Sequence, residues 1–150
     1  MNRINRKVEY ALMALRRLAG KKPGELTTAK EVSDTLRTPF DATARVMQIM
    51  ANRGLLRSEQ GATGGYQIQK DLESVSLLDL AEMIDGPQHL TKCFQKSGEN
   101  CEIHKTCNIA TPLSSLNRRL HQFYGSISLK ELLFDGAAEN PSGFSEVNNV

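Results

Sequence analysis

The sequence predicts a mainly α-helical chain with one small β-hairpin: a winged helix-turn-helix followed by a long helix suited to dimerisation. Three observations predict it. Apolar residues recur at helical spacing in three successive stretches between residues 8 and 53. Two β-prone runs flank a glycine-rich turn directly after the third stretch. Far downstream, Ile109, Leu113, Leu116, Leu120, Phe123 and Ile127 are spaced 4, 3, 4, 3 and 4 residues apart, a heptad-like seam.

The first helix covers residues 8–19, where Val8, Ala11, Leu12, Leu15 and Leu18 share a face. Pro23 and Gly24 break it. Thr28, with Glu31 three residues on, fits a capping box for the second helix, whose apolar face is Val32 and Leu36. Thr38-Pro39 opens the third helix, with proline at the favoured first position; Val46, Ile49 and Met50 run through it and Gly54 ends it. The short gap between these two is helix-turn-helix spacing, which many helical bundles share.

Leu55–Glu59 reads as a strand, Gly61-Ala62-Thr63-Gly64-Gly65 as a turn, and Tyr66–Gln69 as the returning strand. A hairpin in this place is a wing, and its glycines let backbone come close to another surface. A phosphate loop is excluded by the order of elements and by the lack of a following Gly-Lys-Ser/Thr. Ser76 caps a fourth helix that runs to about Ile84 and is closed by Asp85-Gly86-Pro87.

The chain thus divides into a winged helix-turn-helix (1–70), a connecting helix (71–87), a polar cysteine loop (88–107), a dimerisation helix with a short last helix at Leu129, Leu132 and Leu133 (108–134), and a polar tail predicted to be disordered (135–150). The heptad seam has two candidate destinations, the chain's own core or a second copy. A long helix after a long loop has little else to bury against, which favours a homodimer.

Composition narrows the function. At 150 residues and 39% apolar content there is one modest core. No run of 18 apolar residues is present to span a membrane, and the basic start Met1–Lys7 has no apolar stretch behind it to act as a secretory signal, so a cytoplasmic protein is expected. With no Trp and only 5% aromatic residues, an aromatic-lined pocket for a small organic substrate is not expected. The net charge of +2 conceals a division: residues 1–70 hold 13 Lys/Arg and 6 Asp/Glu, a net of +7, whereas residues 71–150 hold 6 and 11, a net of −5. A basic first half suits a polyanion, although solvated charges also cluster by chance.

All three cysteines, Cys93, Cys101 and Cys107, fall within fifteen positions. An odd number without a secretory signal argues against a disulfide framework. The spacing Cys-x7-Cys-x5-Cys is looser than a zinc knuckle, and Lys92, Lys96 and Lys105 flank the thiols and favour thiolate. Thiolates are the preferred ligands of iron–sulfur clusters. Three unligated cysteines in a flexible loop is the alternative. Cys101 and Cys107 beside His104 also suggest a nucleophile and its base, but no third orienting group or oxyanion motif accompanies them, so no enzyme is expected.

Several segments together resemble one family. They are Lys7-Val8-Glu9-Tyr10-Ala11-Leu12, Arg53-Gly54-Leu55-Leu56-Arg57-Ser58, Gly61-Ala62-Thr63-Gly64-Gly65-Tyr66, Ser76-Leu77-Leu78-Asp79-Leu80 through Asp85-Gly86-Pro87, and the cysteine triplet. The chain resembles, over about residues 3–134, the winged-helix iron–sulfur transcription regulators of the Rrf2 family, typified by IscR, NsrR and RirA. The resemblance implies a symmetric homodimer, a DNA-binding domain from each chain, and a cluster near the dimer interface held by Cys93, Cys101 and Cys107. In one type a His three residues after the last Cys is the fourth ligand; here that position is Ala110. Other members recruit a carboxylate from the N-terminal helix of the partner chain, and the matching residue is Glu9, with His104 as a competitor. The missing His favours a 4Fe-4S cluster over a 2Fe-2S one.

The helix-turn-helix predicts that the third helix lies in the major groove, with Thr38, Pro39, Asp41, Thr43 and Arg45 near base edges. Thr28 would meet a phosphate, and Arg3, Arg6 and Lys7 would neutralise backbone charge. The wing residues Gln60, Gly61, Ala62, Thr63, Gly64, Gly65 and Tyr66 would approach the minor groove. Gln60 stands where many relatives carry Arg, and Ala44 where the IscR type is acidic, so the sequence preference should differ. Two-fold symmetry implies a palindromic double-stranded operator. The expected protein is a repressor whose cluster responds to nitric oxide, iron or redox state. A cluster-free thiol-redox regulator is the alternative. A small iron–sulfur electron carrier fits less well, because it has no use for a wing or a basic half.

Overall fold

The computed structural model describes residues 4–91, 101–103 and 105–135. Its elements are α1 (Arg6–Ala19), α2 (Ala29–Leu36), α3 (Phe40–Asn52), β1 (Leu56–Glu59), β2 (Gly65–Ile68), α4 (Leu77–Asp85) and α5 (Ala110–Ser126). A 3-10 turn, Leu72–Ser74, precedes α4, and a π-helical turn, Glu131–Asp135, follows α5. The predicted mainly helical winged fold is present.

Each helix follows from its sequence. Asn5 caps α1 by accepting the Lys7 backbone N–H at 3.0 Å, and Val8, Ala11, Ala14, Leu15 and Leu18 form its buried stripe. That stripe packs against α3 and α4, while α2 lies on α3. From α3 come Val46, Met47 and Met50, from the strand entry Leu55 and Leu56, and from α4 Leu80 and Ile84, all buried in one continuous core. Full burial of each large side chain contributes about 1.5–3 kcal/mol, so the domain rests on these few residues.

Pro39 is the N-cap of α3 rather than its first residue, so α3 begins one position later than the sequence suggested. The expected capping box at α2 is half formed: Thr28 Oγ1 accepts the Glu31 N–H at 3.1 Å, but the Glu31 carboxylate turns instead to Lys21 Nζ at 2.7 Å. The lysine adds an opposite charge to the bond, making an ion pair that a neutral backbone amide does not provide. The complete capping box is at α4, where Ser76 and Asp79 bond reciprocally.

The hairpin pairs Leu56 with Ile68 and Glu59 with Gly65. A hairpin of this length is marginal alone. It gains a third partner in Thr27, whose N–H donates to Tyr66 O at 3.0 Å and whose carbonyl accepts the Tyr66 N–H at 2.8 Å. Gly65 makes this approach possible: its φ is +152°, and a Cβ there would lie 2.9 Å from the Thr27 backbone.

The C-terminal part is attached differently. Residue Ile127, expected at the end of the heptad helix, is extended; its carbonyl accepts the Leu77 N–H at 2.8 Å, and Leu129 N–H donates to Val75 O at 2.8 Å. Ile109, at the other end of the seam, is the N-cap. Both seam ends therefore lie outside α5. Leu129 and Leu133 are buried in the core, so the short last helix is a plug and not an appendage; Leu129 precedes its single π-helical turn. The predicted tail beyond Asp135 lies outside the described residues.

Candidate nucleic-acid interface and cysteine segment

The interface begins at the turn between α2 and α3. Arg37 ends α2 in the left-handed conformation (φ 55°), which turns the chain at a position where glycine or asparagine is usual. Thr38 N–H donates to Ser33 O at 3.1 Å, and the Thr38 and Thr43 hydroxyls are 2.7 Å apart. Thr43 is buried, so its hydroxyl fixes the start of α3 instead of facing a groove. Thr43, expected near base edges, is instead enclosed at the start of the helix. Thr38 is partly buried by the same contact, and Pro39, Asp41 and Arg45 are exposed.

The exposed stripe of α3 continues beyond the residues chosen from sequence. Asp41, Arg45, Gln48 and Asn52 follow one another by four, three and four residues, and all are exposed. Gln48 and Asn52 line an open groove whose far wall is the wing, Ser58 to Gly65, and whose end is Thr28 at the N-terminus of α2. Amide side chains of this kind read adenine edges. The signal for them was available, because they extend the polar row of Asp41 and Arg45.

In the wing, Gln60, Gly61, Ala62 and Thr63 are exposed at the tip, whereas Gly64, Gly65 and Tyr66 are partly buried at its base. A Cβ at Gly64 would lie 2.2 Å from the Glu59 carbonyl, so the turn admits no side chain there. Thr28 is exposed beside the groove, and Arg6 and Lys7 are exposed on α1. Arg3 lies outside the described residues.

Charge pairing separates two groups of cations. Arg6 pairs with Glu9, Arg17 and Lys21 with Glu31, Lys30 with Asp34 and Arg57 with Glu59. Among the described residues Arg37, Arg45 and Arg53 take no carboxylate partner. They mark the turn before α3, its middle and its C-cap, where a phosphate backbone would find unneutralised charge. Behind them the bond to Glu31 raises the Lys21 pKa, and the Lys22 backbone N–H lowers that of Glu25. These groups brace the loop between α1 and α2.

The cysteine segment is only partly described. Cys101 and Cys107 are partly exposed and form no disulfide, while Cys93 and His104 lie outside the described residues. Among the described residues no three metal-ligating side chains converge. Two soft thiols that remain unpaired and reachable, in a segment where a third is encoded, suit an iron–sulfur cluster better than a hard-cation site. Glu9 is on α1, half exposed, with Arg6 Nη1 at 3.1 Å; it lines a shallow pocket with Asn5 and Asp85.

Among the described residues, side chains of α5 bond the chain leading into this segment. Asn117 Oδ1 accepts the Leu90 N–H at 3.1 Å, and a His121 ring nitrogen bonds the Gln88 carbonyl. The seam residues of α5 contribute nothing to the buried core: Leu113 and Leu120 are half buried, and Leu116 and Phe123 are 47% and 58% exposed, as is the N-cap Ile109 at 53%. Among the described residues no helix is long and apolar enough to cross a membrane.

Comparison with known proteins agrees with this arrangement. The chain is 21% identical over 127 residues to the HTH-type transcriptional regulator NsrR of Shouchella clausii, covering 85% of each chain. Its fold is similar to that of CymR, the global cysteine regulator of B. subtilis, with a TM-score of 0.67, 22% identity, and coverage of 89% of this chain and 97% of that one. It is also similar to T. potens IscR, with a TM-score of 0.65, 17% identity and 95% coverage of both. Residues 4–135 match the profile of iron-dependent transcriptional regulators, and the chain belongs to that family, Rrf2, as a DNA-binding regulator.

Proposed function

We propose that two copies of this chain bind a palindromic operator as a repressor, each placing α3 in the major groove and its wing toward the minor groove. The observation that carries this reading is the groove between the exposed row of α3 and a wing tied to Thr27. One rigid surface thereby presents base-reading and backbone-contacting groups together. Pro39, Asp41, Arg45, Gln48 and Asn52 would face bases. Arg37, Arg53 and Thr28 would face phosphates, with Arg6 and Lys7 adding charge. Gln60 to Thr63 would form the wing contact. The seam of α5 would pair with its copy.

The test is a mobility-shift titration with a duplex selected from a random pool by the intact protein. Arg45→Ala should weaken binding and relax specificity at one symmetric position pair, while Arg53→Ala should reduce the salt slope by about 1 without altering specificity. Unchanged affinity and salt slope in both would reject α3 as the reading helix.

The regulatory reading is that Cys93, Cys101 and Cys107 hold a 4Fe-4S cluster, with Glu9 of the partner subunit as the fourth ligand. The thiols and the resemblance to cluster-binding regulators support it. The cluster would supply iron whose weakly held fourth position is open to nitric oxide or oxygen. The chain's own part is to hold the thiolates, offset their charge with Lys105, and join the segment to α5 through Asn117 and His121. Such a ligand controls binding only if the two forms differ in operator affinity. Anaerobic purification with iron and sulfide analysis, alongside Glu9→Ala, tests the site; equal operator affinity with and without cluster would reject control by it. A second reading, thiol oxidation without metal, is favoured by the reachable thiols of Cys101 and Cys107. A colourless protein without iron that still changes operator affinity on oxidation would select it.

A further inference from the structure

We propose that Phe40 determines operator sequence by packing its ring against the C5 methyl group of a thymine in the major groove. The inference rests on α3 entering that groove. Phe40 is the first residue of α3 and is 50% exposed, whereas Val46, Met47 and Met50 further along are buried and Ile49 is partly buried. It heads the i, i+4 row Phe40, Ala44, Gln48 and Asn52, which winds about 120° round the helix at about 100° per residue; the final two line the groove facing the wing, and Phe40 stands at the row's other end, outside that groove. The row is ~18 Å long at about 1.5 Å per residue, roughly five base-pair steps at about 3.4 Å each.

The backbone beneath the ring is fixed. Pro39 holds φ at −59°, the Thr43 N–H donates to Pro39 O at 3.0 Å, and the Thr38 and Thr43 hydroxyls meet behind it. Little backbone freedom would be lost on docking. The ring has no charge or donor with which to hold a phosphate or read a polar base edge. The one apolar group on a base edge in the major groove is the thymine methyl. The neighbouring Asp41 carboxylate is repelled by phosphates and accepts from base amino groups, which turns this end of α3 toward bases rather than backbone.

The experiment replaces each operator thymine in turn with deoxyuridine, which removes the methyl alone. Intact protein, Phe40→Ala and Phe40→Leu are titrated against the same duplexes. The expected result is a loss of about fourfold per half-site at one symmetric pair of thymines for the intact protein. Phe40→Ala should show no loss there and Phe40→Leu an intermediate one, with melting curves unchanged. A deoxyuridine penalty equal in the intact protein and Phe40→Ala at every position would overturn the proposal. So would a rise in 2-aminopurine fluorescence at that step on binding, which would mean a wedge between bases. If Phe40→Ala and Arg45→Ala both leave affinity and specificity untouched, α3 does not enter the groove and the underlying reading falls as well.

Discussion

The two ends of the molecule are built on different principles. In the winged domain every helix has a buried stripe, and Leu15, Met47, Met50 and Leu55 are completely enclosed. In α5, a helix of 17 residues, not one residue is buried. Yet α5 is apolar along its seam; Leu116 and Phe123 are exposed, and Leu113 and Leu120 are only half buried. The first region is complete within one chain, and the second has the composition of an interface and the exposure of a surface. Under the proposed reading, the winged domain would read the operator and α5 would be completed by a second copy.

That contrast can be broken by cutting each end. Leu15→Ala should destabilise the chain by about 3 kcal/mol in urea unfolding. Leu116→Ser with Phe123→Ser should leave far-ultraviolet dichroism intact and shift sedimentation from dimer to monomer. Unaltered sedimentation would mean that α5 is not an interface. Gly65→Ala forces a Cβ against Thr27 from a strained backbone and should cost about 1–3 kcal/mol, with loss of operator binding exceeding what unfolding explains. Arg37→Gly relieves a left-handed arginine and should stabilise by roughly 0.5–1 kcal/mol; operator binding should weaken and its salt slope fall by about 1. A stabilised variant with unaltered binding would place the turn outside the interface.

The smallest expected effect is on pH dependence. Glu25 has a lowered pKa, so its contribution is present above its ordinary value of 4.5 and fades as pH falls through the lower folded value. Lys21 has a raised pKa, so its contribution is present below 10.5 and fades as pH rises through the higher folded value. Melting curves of Lys21→Met should therefore lose part of the alkaline and acid dependence seen in the intact protein, and only at low salt.

The contrast also explains what could be read from residue order. Elements held by local signals were legible: the caps at Thr28 and Ser76, the break at Pro23-Gly24, and the apolar stripes of α1 and α3. Contacts between distant residues were not. Nothing near Thr27 announces a bridge to Tyr66, and Ile127 continues the heptad spacing although its backbone joins Val75–Leu77. Thr43 looked available because a threonine near the start of a reading helix is polar; its burial depends on Thr38. Gln48 and Asn52 extend the polar row of Asp41 and Arg45 beyond the helix N-terminus, where a helix-turn-helix is expected to meet base edges. At the cysteine segment, residue types alone suggested soft-metal chemistry, and spacing could not say what completes the ligand set.

The fastening of α5 has a mechanical consequence. Backbone bonds clamp the chain at Ile127 and Leu129, and the Asn117 and His121 contacts support α5 partway along. From Asn117 to the first residue, Ala110, another ~10 Å of helix projects past that support, and Cys107 lies just beyond its end. Under the proposed regulatory reading, a group held at Cys107 would load the tip of this rod, which also packs on α4. A rigid rod of this kind converts sideways force on the thiols into bending moment at the midpoint contacts. Those contacts reach Gln88 and Leu90, just after the helix that packs on α1 and α3, and so lead to the winged domain.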